Sequence, residues 1–143
     1  MLTTYLVCSC FIFYFMKSES LDLGANQLEG TIPLEIGLLM NLKLLSLEGN
    51  ALTGTIPTTI GMLDKLEMLD LRVNELVGSI PSEIGQCSQL KKLHMDFNNL
   101  QGSIPPALFD CSRLLHVWLG KNNFTGSIPN NIDKIPNIEQ RKY

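Results

Sequence analysis

Charge, aromatic rings and cysteine are all scarce in this chain of 143 residues, and each shortage narrows what it can do. Charged residues make up 17%, and 11 Lys and Arg against 14 Asp and Glu leave a net charge of −3. Binding to nucleic acid normally asks for a basic face. Lys91-Lys92 is the only basic pair before the C-terminal tail, so no nucleic-acid partner is expected. No apolar stretch reaches the roughly 18 residues of a membrane-crossing helix, which predicts no span within the body of the chain. Two histidines, His94 and His116, have no third ligand at metal-binding spacing, so neither a metal nor a cofactor is expected.

What the chain does have is repetition. Asn26, Asn50, Asn74, Asn98 and Asn122 recur every 24 residues, and Gly30, Gly54, Gly78, Gly102 and Gly126 keep the same step. Pro33, Pro57, Pro81, Pro105 and Pro129 keep it too. Self-similarity at such a period predicts a solenoid, in which each coil covers the next and the function lies on an extended surface.

The apolar columns have the same period. Leu21/Leu45/Leu69/Leu93/Val117 and Leu23/Leu47/Leu71/Met95/Leu119 are two of seven that carry no charge, and together they predict one stacked core. Leu69-Asp70-Leu71 alternates as a half-buried strand does. Each asparagine just past its strand can tie the backbone of neighbouring coils, because its amide both donates and accepts. The residue before each proline is pushed to an extended conformation, which predicts a second short strand at Ile32, Ile56, Ile80, Ile104 and Ile128. The segment after the proline, such as Ser82-Glu83-Ile84-Gly85, reads as a short helical turn ended by its glycine. Cys87 and Cys111 occupy a column otherwise filled by Leu and Ile and are expected to be buried thiols, although stacked neighbours are near enough to be bridged.

The ends differ from the middle. Residues 1–17 form an apolar leader, with Tyr5 to Met16 almost continuously apolar and Ser18-Glu19-Ser20 offering a small-x-small cleavage site. This suits a secretory signal peptide, although no Lys or Arg precedes the apolar run. A short uncleaved anchor and the start of a truncated array are the alternatives. The repeat domain is expected over residues 18–138 and a tail over 139–143.

The stretch Leu66-x-x-Leu69-x-Leu71-x-x-Asn74-x-Leu76-x-Gly78-x-Ile80-Pro81-x-x-Ile84-Gly85 resembles the plant-specific leucine-rich repeat. The resemblance implies an α/β solenoid: a right-handed leucine-rich-repeat horseshoe of five 24-residue repeats, with a parallel β-sheet on its concave face. There are departures from the pattern. Ser18 stands where later coils have leucine, Phe109 and Asp133 replace the glycine of positions 37, 61 and 85, and no paired-cysteine cap precedes the first coil.

Proteins with this repeat generally bind along the concave sheet, so its outward rows carry the candidate site. One row is Ser46, Asp70, His94, Trp118; another is Glu48, Arg72, Asp96, Gly120; a third is Leu44, Met68, Lys92, His116. Aromatic and ionisable side chains gather in the later coils, and Lys92, His94, Phe97, His116, Trp118 and Lys121 are the expected ligand-binding residues. Arg72 is expected to neutralise Glu48 and Asp96 across the row. Ser46, Asp70 and His94 do not read as a hydrolase triad, because the acid and not the base lies between the other two. No enzyme is therefore expected. Asn123-Phe124-Thr125 is a glycosylation sequon and makes Asn123 the expected glycan site.

The resemblance implies part of the extracellular region of a plant receptor kinase or receptor-like protein. Such a module would recognise a peptide or protein ligand outside the cell or at the plasma membrane, and would signal through a receptor kinase. The chain itself carries no Gly-rich phosphate loop, H-R-D or D-F-G motif. A secreted polygalacturonase inhibitor and a non-functional receptor fragment are the alternatives.

Overall fold

The computed structural model describes residues 15–127. Residues 1–14 of the leader, the tail, Ile128, Asp133 and the end of the repeat domain lie outside the described residues. In chain order the strands are β1 Ser20–Asp22, β2 Glu29–Thr31, β3 Leu44–Ser46, β4 Ala51–Thr53, β5 Met68–Asp70, β6 Val77–Gly78, β7 Lys92–His94, β8 Asn99–Gly102, β9 His116–Trp118 and β10 Asn123–Phe124.

The odd-numbered strands form one parallel sheet in the order β1-β3-β5-β7-β9. Its register advances by one repeat per strand: Leu21 faces Leu45, Leu45 faces Leu69, Leu69 faces Leu93 and Leu93 faces Val117. Even-numbered strands make shorter parallel pairings, β2 with β4 and β6 with β8 with β10. The chain is thus a solenoid of stacked coils with parallel strands, the fold that its resemblance to the leucine-rich repeat implies. Between the sheets the apolar columns stack into one core, in which Leu45, Leu69, Leu93, Leu71 and Met95 are fully buried.

The four short helical turns after the prolines, Leu34–Leu38, Thr58–Met62, Ser82–Gln86 and Pro106–Asp110, are 3-10 helices. The first three run through the glycine that was expected to end them. Its role is the stacking of turns. A Cβ at Gly61 would stand 2.5 Å from the Glu83 carbonyl oxygen, and one at Gly85 would stand 2.5 Å from that of Ala107. The second strands also differ from expectation, since Ile32, Ile56, Ile80 and Ile104 fall just past them. Their side chains turn into the core, and the proline that follows each has no N–H with which to continue a ladder.

The asparagine ladder is where neighbouring coils are tied. Asn74 Nδ2 donates to the carbonyls of Leu47 at 2.9 Å, Leu71 at 3.2 Å and Arg72 at 3.1 Å, and its Oδ1 accepts from the Leu52 N–H at 3.1 Å. Asn50, Asn98 and Asn122 likewise donate to the preceding coil and accept from it. Among the described residues Asn26 donates within its own coil, to Leu23 and Gly24. Cys87 and Cys111 are free buried thiols, donating to the carbonyls of Ile60 and Ile84. Burial pushes their pKa values up to about 12 and about 11, which keeps them protonated and inert.

Candidate functional site

The outward positions of the odd-numbered strands and of the residues that follow them make up the candidate surface. Lys92 and His116 are register partners at the strand starts. Phe97 and Lys121 are both exposed at the far edge. His94 and Trp118 are register partners between these edges, and they alone of the six expected ligand residues stack on each other.

The far edge has an unusual backbone. Ala25, Gly49, Val73, Phe97 and Lys121 stand one repeat apart, and all have positive φ, between 51° and 63°. The ladder imposes this conformation. Val73 donates to the Asp96 carbonyl at 3.1 Å while its own carbonyl accepts from Asn50 at 3.2 Å. Glycine takes such a φ freely, but a β-branched residue resists it. Val73 and Phe97 nevertheless hold it with 53% of their surface exposed, and strained apolar residues of this kind cluster at binding surfaces.

His94 is not the surface residue its row suggests. The Trp118 indole lies flat on its imidazole, with ring centroids 4.0 Å apart and planes inclined by 7°. Only 7% of the His94 side chain reaches solvent. Beneath the stack, Asp70 Oδ2 stands 3.5 Å from His94 Nδ1. The Arg72 guanidinium lies 5.3 Å from the centre of the Trp118 ring, within the range of a cation–π contact.

Arg72 pairs with Glu48, as expected across the row, but its second carboxylate is Asp70 and not Asp96. Its Nε donates to Asp70 Oδ1 at 2.9 Å and its Nη2 to Oδ2 at 2.8 Å. The Arg72 N–H also reaches Oδ1, at 3.2 Å. A fork this close to a carboxylate two residues back in the chain engages it with two parallel donors, which turns the arginine back toward Glu48 and away from Asp96. Burial pushes the Asp70 carboxyl up, but the nearby His94 imidazole, the hydrogen bonds from Arg72 and the Arg72 charge outweigh it and hold the group below its usual range. Asp96 is left with a buried Oδ1 that has no hydrogen-bond partner. Both ring nitrogens of His94 are in the same position, Nδ1 standing 3.5 Å from Asp70 Oδ2 without a hydrogen bond.

At the coil edge, Glu19, Lys43, Glu67 and Lys91 alternate in sign one repeat apart. Lys43 pairs with Glu19 at 2.7 Å and Lys91 with Glu67 at 2.6 Å. The hydrogen bond that Lys43 donates to Glu19 raises the Lys43 pKa, and the one that Lys91 donates to Glu67 lowers that of Glu67. Such exposed pairs align coils and add little stability. Asn123 is exposed at the start of β10.

Residues 40–100 match the leucine rich repeat family model, and no curated protein matches the chain. Among solved structures it is similar to the ectodomain of the plant membrane receptor kinase GASSHO1/SCHENGEN3 from Arabidopsis thaliana, determined in complex with Casparian strip integrity factor 2. That match has 39% identity and a TM-score of 0.83, and it covers 86% of this chain and 15% of that one. The Arabidopsis receptor kinase HAESA, in complex with the peptide hormone IDA and the co-receptor SERK1, matches at 36% identity and a TM-score of 0.66, over 85% of this chain and 25% of that one. A plant ice-binding protein matches at 34% identity and a TM-score of 0.78, over 82% of this chain and 38% of that one. This chain therefore spans well under half the length of each of these three.

Proposed function

We propose, for a chain that carries plant-type leucine-rich repeats and resembles part of a receptor-kinase ectodomain, that it recognises a peptide or protein partner outside the cell and contributes to receptor-kinase signalling. In this reading five 24-residue repeats form a right-handed horseshoe, and the concave sheet is the recognition face. The leader directs the chain into the secretory route, Asn123 carries a glycan, and Lys92, His94, Phe97, His116, Trp118 and Lys121 take part in contact.

One observation carries the reading. Inward columns keep the same chemistry from coil to coil, whereas the outward row runs Ser46, Asp70, His94, Trp118 and ends in an aromatic stack beside Arg72. A fold that needed only to stack would not require such a row. Aromatic and Arg side chains at the centre of a patch are what anchors partner proteins.

The test is to pan a displayed peptide library on the full chain produced in plant cells. Enriched peptides are expected to bind the wild type and to lose affinity for Trp118→Ala and Lys92→Glu, while a Thr58→Ala change on the opposite side has no effect. If no peptide is enriched that depends on Trp118 or Lys92, the proposal fails. A glycosidase mobility shift abolished by Asn123→Gln tests the secretory route on the same material.

A further inference from the structure

Two buried acceptors stand two positions apart on the recognition face. Asp96 Oδ1 is a carboxylate oxygen with no partner. His94 Nε2 is the other unpartnered atom, and with Asp70 Oδ2 facing Nδ1 at 3.5 Å the imidazole proton is assigned to Nδ1. A neutral imidazole with its proton on Nδ1 presents a lone pair at Nε2. Residues two apart along an extended chain point the same way, so both acceptors belong to one face. Buried polar atoms without partners are rare in folded proteins, and a group bound from outside is one way in which they are satisfied.

The surrounding charge favours a cation. Glu48, Asp70 and Asp96 are three carboxylates around the single guanidinium of Arg72, which Asp70 and Glu48 already engage. Gly120, beyond Asp96 in the same row, brings no side chain of its own. Above His94 lies the Trp118 ring, whose face attracts a cation. At the rim beside these groups stand Val73 and Phe97, apolar, exposed and strained.

Resting on the recognition reading above, we propose that this face is a subsite for a guanidinium or ammonium side chain of the partner, with an apolar neighbour on the Val73–Phe97 rim. The cation donates to Asp96 Oδ1 and His94 Nε2. Trp118 turns off the imidazole to admit it and lays its face against the incoming charge. Asp96 is thus a binding residue, and Asp70 positions His94 by fixing its tautomer.

The chain has a single tryptophan, so its emission reports the movement of this cover directly. The probe is an acetylated, amidated pentapeptide with a central arginine followed by phenylalanine, titrated into the full chain. Matched peptides carry citrulline or glutamate in place of the arginine. The arginine peptide is expected to change the Trp118 emission saturably, and Asp96→Asn to weaken it roughly tenfold or more, as loss of a charge-assisted hydrogen bond implies. Asp96→Glu should restore part of that loss, and circular dichroism of each variant establishes that it folds. Equal binding of the citrulline or glutamate peptide, or an Asp96→Asn variant that binds as the wild type does, overturns the proposal. So does an arginine peptide that leaves the emission unchanged. If panning enriches Trp118-dependent peptides with no basic residue, recognition stands and the cation subsite alone falls.

Discussion

The solenoid carries two polar columns at the same 24-residue step, one behind the five-stranded sheet and one on it. In the asparagine ladder every coil repeats one residue, and Asn74 meets four backbone groups of its own and the preceding coil. On the outer face of the five-stranded sheet the column changes from Ser46 through Asp70 and His94 to Trp118, and the next one leaves an oxygen of Asp96 without a partner. Polar groups that hold a repeat fold together have backbone partners, and backbone is identical in every coil, so one residue type serves throughout. Those facing outward have side-chain partners that differ from coil to coil, and Asp96 Oδ1 is left without one.

The largest effect should come from breaking the first column. Asn74→Ala removes a side chain that bonds coils 2 and 3 together, leaving the buried Leu52 N–H unpaired. A cost of about 3 kcal/mol is expected from such orphaned groups, read as a lower midpoint in urea denaturation. Because neighbouring coils hold one another in place, the transition should also broaden.

Asp70→Asn should come next, at about 1–2 kcal/mol. Loss of a buried ion-pair partner costs more than this, but Arg72 is partly exposed and keeps Glu48, so solvent screening reduces the effect. The pH dependence follows from the shift. Asp70 is held below 3.8 in the folded chain, so the native state binds fewer protons than the unfolded one in acid. Its stabilisation is therefore present above the ordinary carboxylate range and lost as pH falls through the lower folded value. Urea midpoints measured from pH ~6 to ~2 should fall less steeply for Asp70→Asn than for the wild type.

Third is Val73→Gly, which sharpens the contrast between what the ladder imposes and what the residue prefers. Relief of positive-φ strain is worth about 1–2 kcal/mol, and the added chain entropy of glycine takes back about 0.5–1. A net gain of about 0.5 kcal/mol is expected in thermal unfolding, with a loss of partner binding if the apolar rim is in contact.

Much of this was legible in the sequence, for a definite reason. Leu69, Leu93 and Asn74 recur because each meets the same surroundings one coil on, so period alone places them in core and ladder. Gly61 was legible as a position but not as a reason, since its neighbour is Glu83 of the next coil and the close approach exists only after stacking. On the concave face the rows could be read, and His94 next to Trp118 with them. What could not be read was the choice Arg72 makes between three carboxylates, or the tilt that lays an indole flat on an imidazole. Those depend on rotamers and on distances of a few ångström, which periodicity does not carry. The left-handed backbone at Val73 and Phe97 was hidden because glycine marks that column only at Gly49.

The smallest expected effect on stability is also the one that decides most. Asp96→Asn keeps the shape of the side chain and removes a charge whose Oδ1 has no partner in the folded chain. Burying such an oxygen opposes folding, so the amide should leave stability unchanged or raise it by about 0.5 kcal/mol, in contrast to the loss at Asp70. Urea denaturation of the two variants side by side makes the comparison. Two aspartates, both beside Arg72 in the chain or in its row, would then differ in sign: one fastens the sheet, the other weakens it slightly. If Asp96→Asn instead destabilises as much as Asp70→Asn, the carboxylate has an internal role and the open valence on this face is lost. If it stabilises while partner binding falls, this face of the sheet keeps an unpaired acceptor at the expense of the fold, as a surface held ready for a cation must.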